Sequence, residues 1–397
     1  MASWKRTLYA ALFAQVCSIT GFMFVLPFLP RYIRQLGVPP GSSVEWWAGL
    51  VGAGPALTMA VFAPVWGAVA DRFGRRLMVM RAMFGGAVVL TLMAFVQSPG
   101  QLLICRLLQG AITGTITANM ALVASVAPRE RSGYALGMMQ MSVFVGASLG
   151  PLFGGMLADL FGYRGPFFVS GALLLSAGVV VHKWTEEGPI ARPSGPRRRR
   201  GSFREVFAAS GFLAAVLALV LLRFSGSLTG PSFPLFVETF FGRRPGVDTV
   251  TGAIISVGAV VSAVCAGLLG RLSDAIGARR VLVACSLLGS AAAILHALAR
   301  SLGDLFILRA FLGIASAGMI PAANAIIRQR TLDHNVGKAY GVTASLRAVG
   351  WGLGMLAGGW LATGGRYRLP FILMGVSLAL TAAMVVWQIK PRNQGGE

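Results

Sequence analysis

Apolar residues fill most of this chain in long runs, separated by short polar links that carry arginine, glycine and proline. Twelve runs stand out, at 8–30, 45–69, 78–97, 100–127, 133–158, 165–184, 207–238, 250–270, 280–299, 303–327, 338–363 and 369–389. Roughly 20 apolar residues in a helix cross about 30 Å of hydrocarbon, and a helix satisfies its own backbone there. The pattern predicts an all-α integral membrane protein with 12 transmembrane helices. One long polar segment, TEEGPIARPSGPRRRRGSFRE, follows the sixth run. Its Pro, Gly and Arg suit a flexible link. The expected units are a six-helix bundle over 1–185, a basic cytoplasmic linker over 186–205 and a second six-helix bundle over 206–397.

The halves repeat each other. Gly67, Asp71, Gly74 and Arg76 recur 203 positions later as Gly270, Asp274, Gly277 and Arg279, and the same offset carries Arg106 to Arg309 and Gly110 to Gly313. A duplicated membrane chain of two pseudo-symmetric bundles suggests a transporter. Pro27 and Pro30 in helix 1 are matched by Pro231 and Pro234 in helix 7. Proline leaves backbone groups unpaired, so both helices should bend or end in their outer parts. Interrupted helices at matching positions point to a shared central pathway, or the prolines merely end each helix.

Composition narrows the class further. With 55% hydrophobic and 12% charged residues, the chain is far more apolar than a soluble globular protein. A formal charge of +22 could suit nucleic acid, but a cytoplasmic N-terminus puts most of the 35 lysines and arginines on the inner side. This is the positive-inside bias, so no nucleic-acid partner is expected. Arg197 to Arg200 in the linker read as an orientation signal or an anionic-lipid contact. Cys17, Cys105, Cys265 and Cys285 lie in apolar runs with no ligand-like or disulfide-like spacing. The sequence offers no nucleophile with a base, no metal-ligand spacing and no phosphate-cradling loop, so neither an enzyme nor a metal or other cofactor is expected. Without an ATP site, an ion gradient should supply the energy.

Three motifs carry chemistry. In GAVADRFGRR, glycines permit a tight turn and close helix approach, while Asp71 can cap a helix or pair with arginine. On helix 5, Gly137, Gly146, Gly150, Pro151, Gly154 and Gly155 place glycines three and four apart on one face, where helices can touch backbone to backbone. On helix 4, Gln109, Thr113 and Thr117 extend a polar stripe from Arg106 at helical spacing.

With these residues the chain resembles a major facilitator superfamily transporter over essentially its whole length, and in particular the 12-helix drug:proton antiporters that work in efflux. The resemblance implies two rocking bundles around a cavity lined by helices 1, 4, 7 and 10. It also implies that Gly67, Asp71, Arg72, Gly74, Arg75 and Arg76 latch the cytoplasmic ends of the halves. The second copy keeps Asp274, Gly277 and Arg279 but has Ala278 where the first has Arg75, so its latch should be weaker. The helix 5 glycines resemble the family's antiporter pattern. Helix 11 repeats their spacing at Gly341, Gly350, Gly354, Gly358 and Gly359, with Met355 replacing the proline. Arg106 and Gly110 in RLLQG resemble the element linked to proton movement and substrate contact. A bacterial plasma (inner) membrane protein with both termini cytoplasmic, working as a monomer, is the matching expectation.

Arginine at the centre of a span costs about 2.5 to 3.5 kcal/mol on the mild scale. Arg106, Arg223, Arg309 and Arg347 should therefore face water, polar partners or cargo, with Asn324 beside them on helix 10. Arg223 and Arg347 have no counterpart at the repeat offset, which leaves a cargo role or a snorkelling, structural one. No acid lies near the middle of a run: Asp71, Asp159, Glu238, Asp274 and Asp304 sit toward ends, and the others fall in loops or the tail. A proton carrier is thus not obvious; Glu238, Asp71 and His296 are the candidates, with His296 better read as a packed polar residue. Embedded cations without a central acid favour anionic, zwitterionic or neutral amphipathic cargo. The expected function is export of such molecules by proton antiport, with protons, membrane lipids and a small-molecule substrate as partners. Uptake or facilitated diffusion of an organic anion is the alternative, and a non-transporting receptor or scaffold is a further one.

Overall fold

A computed structural model describes residues 3–186, 212–329 and 336–388. The first half holds α1 (Ser3–Met23), α2 (Leu29–Leu36), α3 (Val44–Phe73), α4 (Arg75–Met93), α5 (Pro99–Ile112), α6 (Thr115–Val126), α7 (Ser132–Phe161) and α8 (Gly165–Trp184). The second holds α9 (Phe212–Leu228), α10 (Phe233–Phe241), α11 (Val247–Ile276), α12 (Ala278–Ala297), α13 (Leu302–Gln329), α14 (Val336–Leu361) and α15 (Leu369–Gln388). Among the described residues, 10 helical runs are long and apolar enough to cross a membrane. The chain is an all-helical membrane protein of two pseudo-symmetric bundles. Most of the predicted linker, with Arg197 to Arg200, lies outside the described residues.

Helices 1 and 7 are interrupted where their prolines predict. α1 stops at Met23, residues 24–28 turn, and Pro30 stands in the first turn of α2; α9, a turn and Pro234 of α10 repeat this. A proline in a first turn loses no intrahelical bond and fixes the entry angle.

Helix 4 departs from the expected single helix over 100–127. It breaks between α5 and α6, where Thr113 is extended and Gly114 adopts φ 127°. The left-handed half of the map is open mainly to glycine. Carbonyls released at the end of α5 are taken up by neighbours: Trp66 Nε1 donates to Ala111 at 2.6 Å and Arg81 Nη2 to Thr113 at 3.3 Å. The Arg81 guanidinium also stacks on the Trp66 ring, 3.6 Å from its centre. The stripe from Arg106 through Thr113 to Thr117 is therefore not continuous. Helix 10, its counterpart, runs unbroken as α13.

The halves meet along two seams, α3 against α14 and α7 against α11. Both close on the face opposite the termini: Gly49 and Gly52 of α3 touch Met355, and Leu152 N donates to Ser256 Oγ at 3.2 Å. Toward the terminal face the same helices part, leaving Val61, Val65, Val264 and Leu268 exposed and open space around Gly67 and Gly270. The space between the bundles thus opens on the terminal side.

Candidate functional site

Arg106 and Arg309 occupy matching seats. Gly54 backs the first, its β-position 3.6 Å from Arg106 Cβ, and Gly258 backs the second, 3.2 Å from Arg309 Cγ. A β-carbon on Gly110 would overlap the Pro55 carbonyl, and one on Gly313 would meet the Gly258 carbonyl. Small residues thus let the arginine-bearing helix lie directly on its neighbour. Arg106 Nη1 donates to Gln109 Oε1 at 2.9 Å, and the Arg309 guanidinium lies 4.0 Å from the centre of the Phe233 ring. The Nε atoms of Arg106, Arg223 and Arg309 are buried with no hydrogen-bond partner. Buried donors without partners are uncommon and costly, which marks these groups for a role beyond packing. Arg223 and Arg347 lie within electrostatic range of each other. Asn324 is half-buried on α13.

Gly74 and Gly277 both turn their loops with φ 94°. Arg75 donates to the Ala121 carbonyl at 3.0 Å, Arg76 to that of His182, and Arg279 to that of Val386 at 2.7 Å, each within its own half. Arg72 rests over Phe73. Asp274 is exposed, and the Asp71 side chain lies outside what is described. Gly67 meets open space in this arrangement, so the close approach expected of it is not made here.

The helix 5 glycines divide into two groups. β-Carbons on Gly146, Gly150 and Gly154 would strike α1 or the turn after it, at Ile19, Met23 and Phe24. Gly155 faces the other way and would strike the Asp248 carbonyl across the seam, while Gly252 stands against the Pro151 carbonyl. Helix 11 repeats this, with Gly350, Gly354 and Gly358 on α9 and its end, and Gly359 on Glu45 across the seam. Gly137 has nothing within 4 Å, so the packing expected of it is absent. It lies near the start of α7, on the side where the halves have parted.

Glu238 is not beside the embedded arginines but on the opposite face, within reach of Arg34 at 2.8 Å, Arg243 at 2.8 Å and Arg31 at 3.2 Å. Arg31 also pairs with Asp248. Asp159 Oδ2 accepts from Thr249 N at 2.8 Å and caps α11 from the other half. Tyr367 donates to Glu45 Oε1 at 3.2 Å, and burial pushes its phenol up to about 12, so the proton stays on the phenol. His296 is fully buried, its Nδ1 2.8 Å from the Ala292 carbonyl and its ring stacked on Phe371.

Sequence reasoning missed Arg31, Arg81 and Asp248. The apolar pattern puts Asp248 in a loop, but α11 begins at Val247 and holds it in the first turn, 3% exposed. The available signal was an acid two residues after a glycine at a helix start. Arg31 and Arg81 stand near run ends, where a charge ordinarily snorkels.

Residues 11–242 and 215–396 each match the family model described as Major Facilitator Superfamily. Multidrug resistance protein MdtG of Dickeya zeae (strain Ech586) is 33% identical over 402 residues, covering 99% of this chain and 97% of that protein. The protein of that name from Rahnella sp. (strain Y9602) is 32% identical over 398 residues, covering 98% and 95%. In fold, the chain is similar to an inward-facing, occupied bacterial homolog of the human lysosomal transporter Spinster, with TM-score 0.80, 17% identity, and coverage of 96% and 95%. The human organic anion transporter MFSD10 (TETRAN) gives a TM-score of 0.71 at 17% identity, covering 97% and 100%.

Proposed function

The chain belongs to the Major Facilitator Superfamily and is a transporter, not an enzyme; on that premise we propose that it exports small amphipathic molecules in exchange for protons. The relatives named multidrug resistance proteins support the outward direction. With the positive-inside bias placing both termini in the cytoplasm of a bacterial inner membrane, the terminal face is the inner one. The opening between the bundles then faces the cytoplasm, the state in which an exporter takes on cargo. A monomer suffices, since one chain holds both halves.

One observation carries the reading: Arg106 and Arg309 stand on matched glycine-backed seats in the two halves, with buried nitrogens that no protein group satisfies. Such positions favour anionic, zwitterionic or neutral cargo over lipophilic cations. The Asp71 loop acts as the inner latch, and Glu238 and Asp71 are the acids available to a proton. Reconstituted vesicles of both orientations, with and without a proton gradient, test the proposal. Cargo accumulation in inside-out vesicles that collapses with the gradient is expected. Gradient-independent flux would favour the second reading, facilitated diffusion of an organic anion, which the cationic passage also suits.

A further inference from the structure

Arg31 donates through Nη2 to the carbonyl of Pro234, a residue 203 positions away. Arg31 sits in α2 at the face opposite the termini, against the second half.

Among the described residues, Arg31 bonds to the second half apart from one bond to Pro27 of its own half. Nη1 pairs with Asp248, Nε with Glu238 at 3.2 Å, and Nη2 also lies 3.2 Å from Thr251 Oγ1. The arginine is 5% exposed and Asp248 is 3% exposed. Arg34 adds two bonds to Glu238, at 2.8 and 3.1 Å. Arginines of the first half thus hold two acids of the second. A charge left buried without its partner is strongly unfavourable, so this cluster opposes separation far more than an exposed pair would.

Among the described residues, the other seam lacks such a fastening. Glu45, the repeat mate of Asp248, likewise stands in the first turn of its helix against the opposite half. Its cross-half donor is the phenol of Tyr367, a neutral group. Among the described residues, the repeat has therefore kept an acid on each seam and paired it with a cation on one of them. We infer that Arg31 is the lock of the face opposite the termini, with Asp248 and Glu238 as its catch, and that this face is fastened by ion pairs at one of its two seams.

The test uses the full chain in lipid nanodiscs with its four cysteines replaced by alanine. Spin labels go on Gln97→Cys and Arg300→Cys, exposed positions in loops of that face in the first and second halves. Distances are read by double electron–electron resonance. The parent should populate mainly the short separation, Arg31→Gln should move the majority to longer separations, Asp248→Asn should shift it the same way, and Tyr367→Phe should leave it in place. An Arg31→Gln distribution matching the parent, or a Tyr367→Phe shift as large as that of Arg31→Gln, would overturn the inference. If Arg31→Gln does not fold, the Asp248→Asn and Glu238→Gln pair carries the test, and unchanged separations in it overturn the inference equally. The readout needs neither cargo nor gradient, so its outcome is separate from that of the export assay.

Discussion

Gly155 and Gly359 are repeat mates that each touch the backbone of the opposite half. A β-carbon on the first would strike the Asp248 carbonyl, and on the second it would stand 2.6 Å from the Glu45 carbonyl. Glu45 and Asp248 are themselves mates, so the two seams are built to one plan.

Seam glycines should govern which face is open. Alanine at Gly155 or Gly359 overpacks the closed seam, and such insertions cost about 1 to 3 kcal/mol. That corresponds to roughly a 5- to 150-fold shift of the equilibrium toward opening on that face. Cargo turnover in proteoliposomes should fall while the protein remains folded by circular dichroism. Turnover equal to the parent in both variants would contradict this role.

Within a bundle the same substitution should act on stability. Gly154→Ala would drive a methyl into the Phe24 carbonyl, for about 1 to 3 kcal/mol. Gly137→Ala meets open space and should stay within about 0.5 kcal/mol. Thermal unfolding in detergent compares them, with Gly154→Ala melting well below Gly137→Ala.

Arg223→Ala should weaken anionic cargo more than neutral cargo. A hydrogen bond to a charged group is worth about 1.5 to 3 kcal/mol, or roughly 10- to 150-fold in affinity. Equilibrium binding of one anionic and one neutral ligand of similar size measures the ratio. An unchanged preference would remove the electrostatic basis for cargo selection.

Asp71→Asn should slow alternation while leaving affinity nearly intact, because the loop lies away from the embedded arginines. Turnover and equilibrium binding measured on the same preparation separate the two effects. Equal turnover would show that the loop does not latch.

Gly114→Ala should destabilise the helix 4 break. A β-carbon at φ 127° costs about 1 to 3 kcal/mol. The variant should melt below the parent, and an unchanged melting point would mean that the break relaxes into a straight helix.

Much of the architecture was legible in one dimension. The membrane spans follow from runs of apolar residues, since lipid solvates nothing else along a helix. The duplication follows from residues recurring at one offset, and the interruptions of helices 1 and 7 follow from proline, whose missing donor acts wherever it stands. Eight of the glycines that pack α7 and α14 are marked by spacing alone, because a glycine's use in a membrane helix is close approach.

Other features depended on how the bundles meet. Arg31 and Asp248 are 217 positions apart, and neither has a neighbour in sequence that hints at the other. Whether a charge near the end of a span faces headgroups, water or an opposing acid is settled only when the second bundle docks against it. The break at Gly114 was equally hidden, as one glycine among 52 whose released carbonyls are satisfied by Trp66 and Arg81 from two other helices. Local chemistry determined each helix, and the long-range pairing of charges and carbonyls, which no periodicity records, decided which face of the protein is shut.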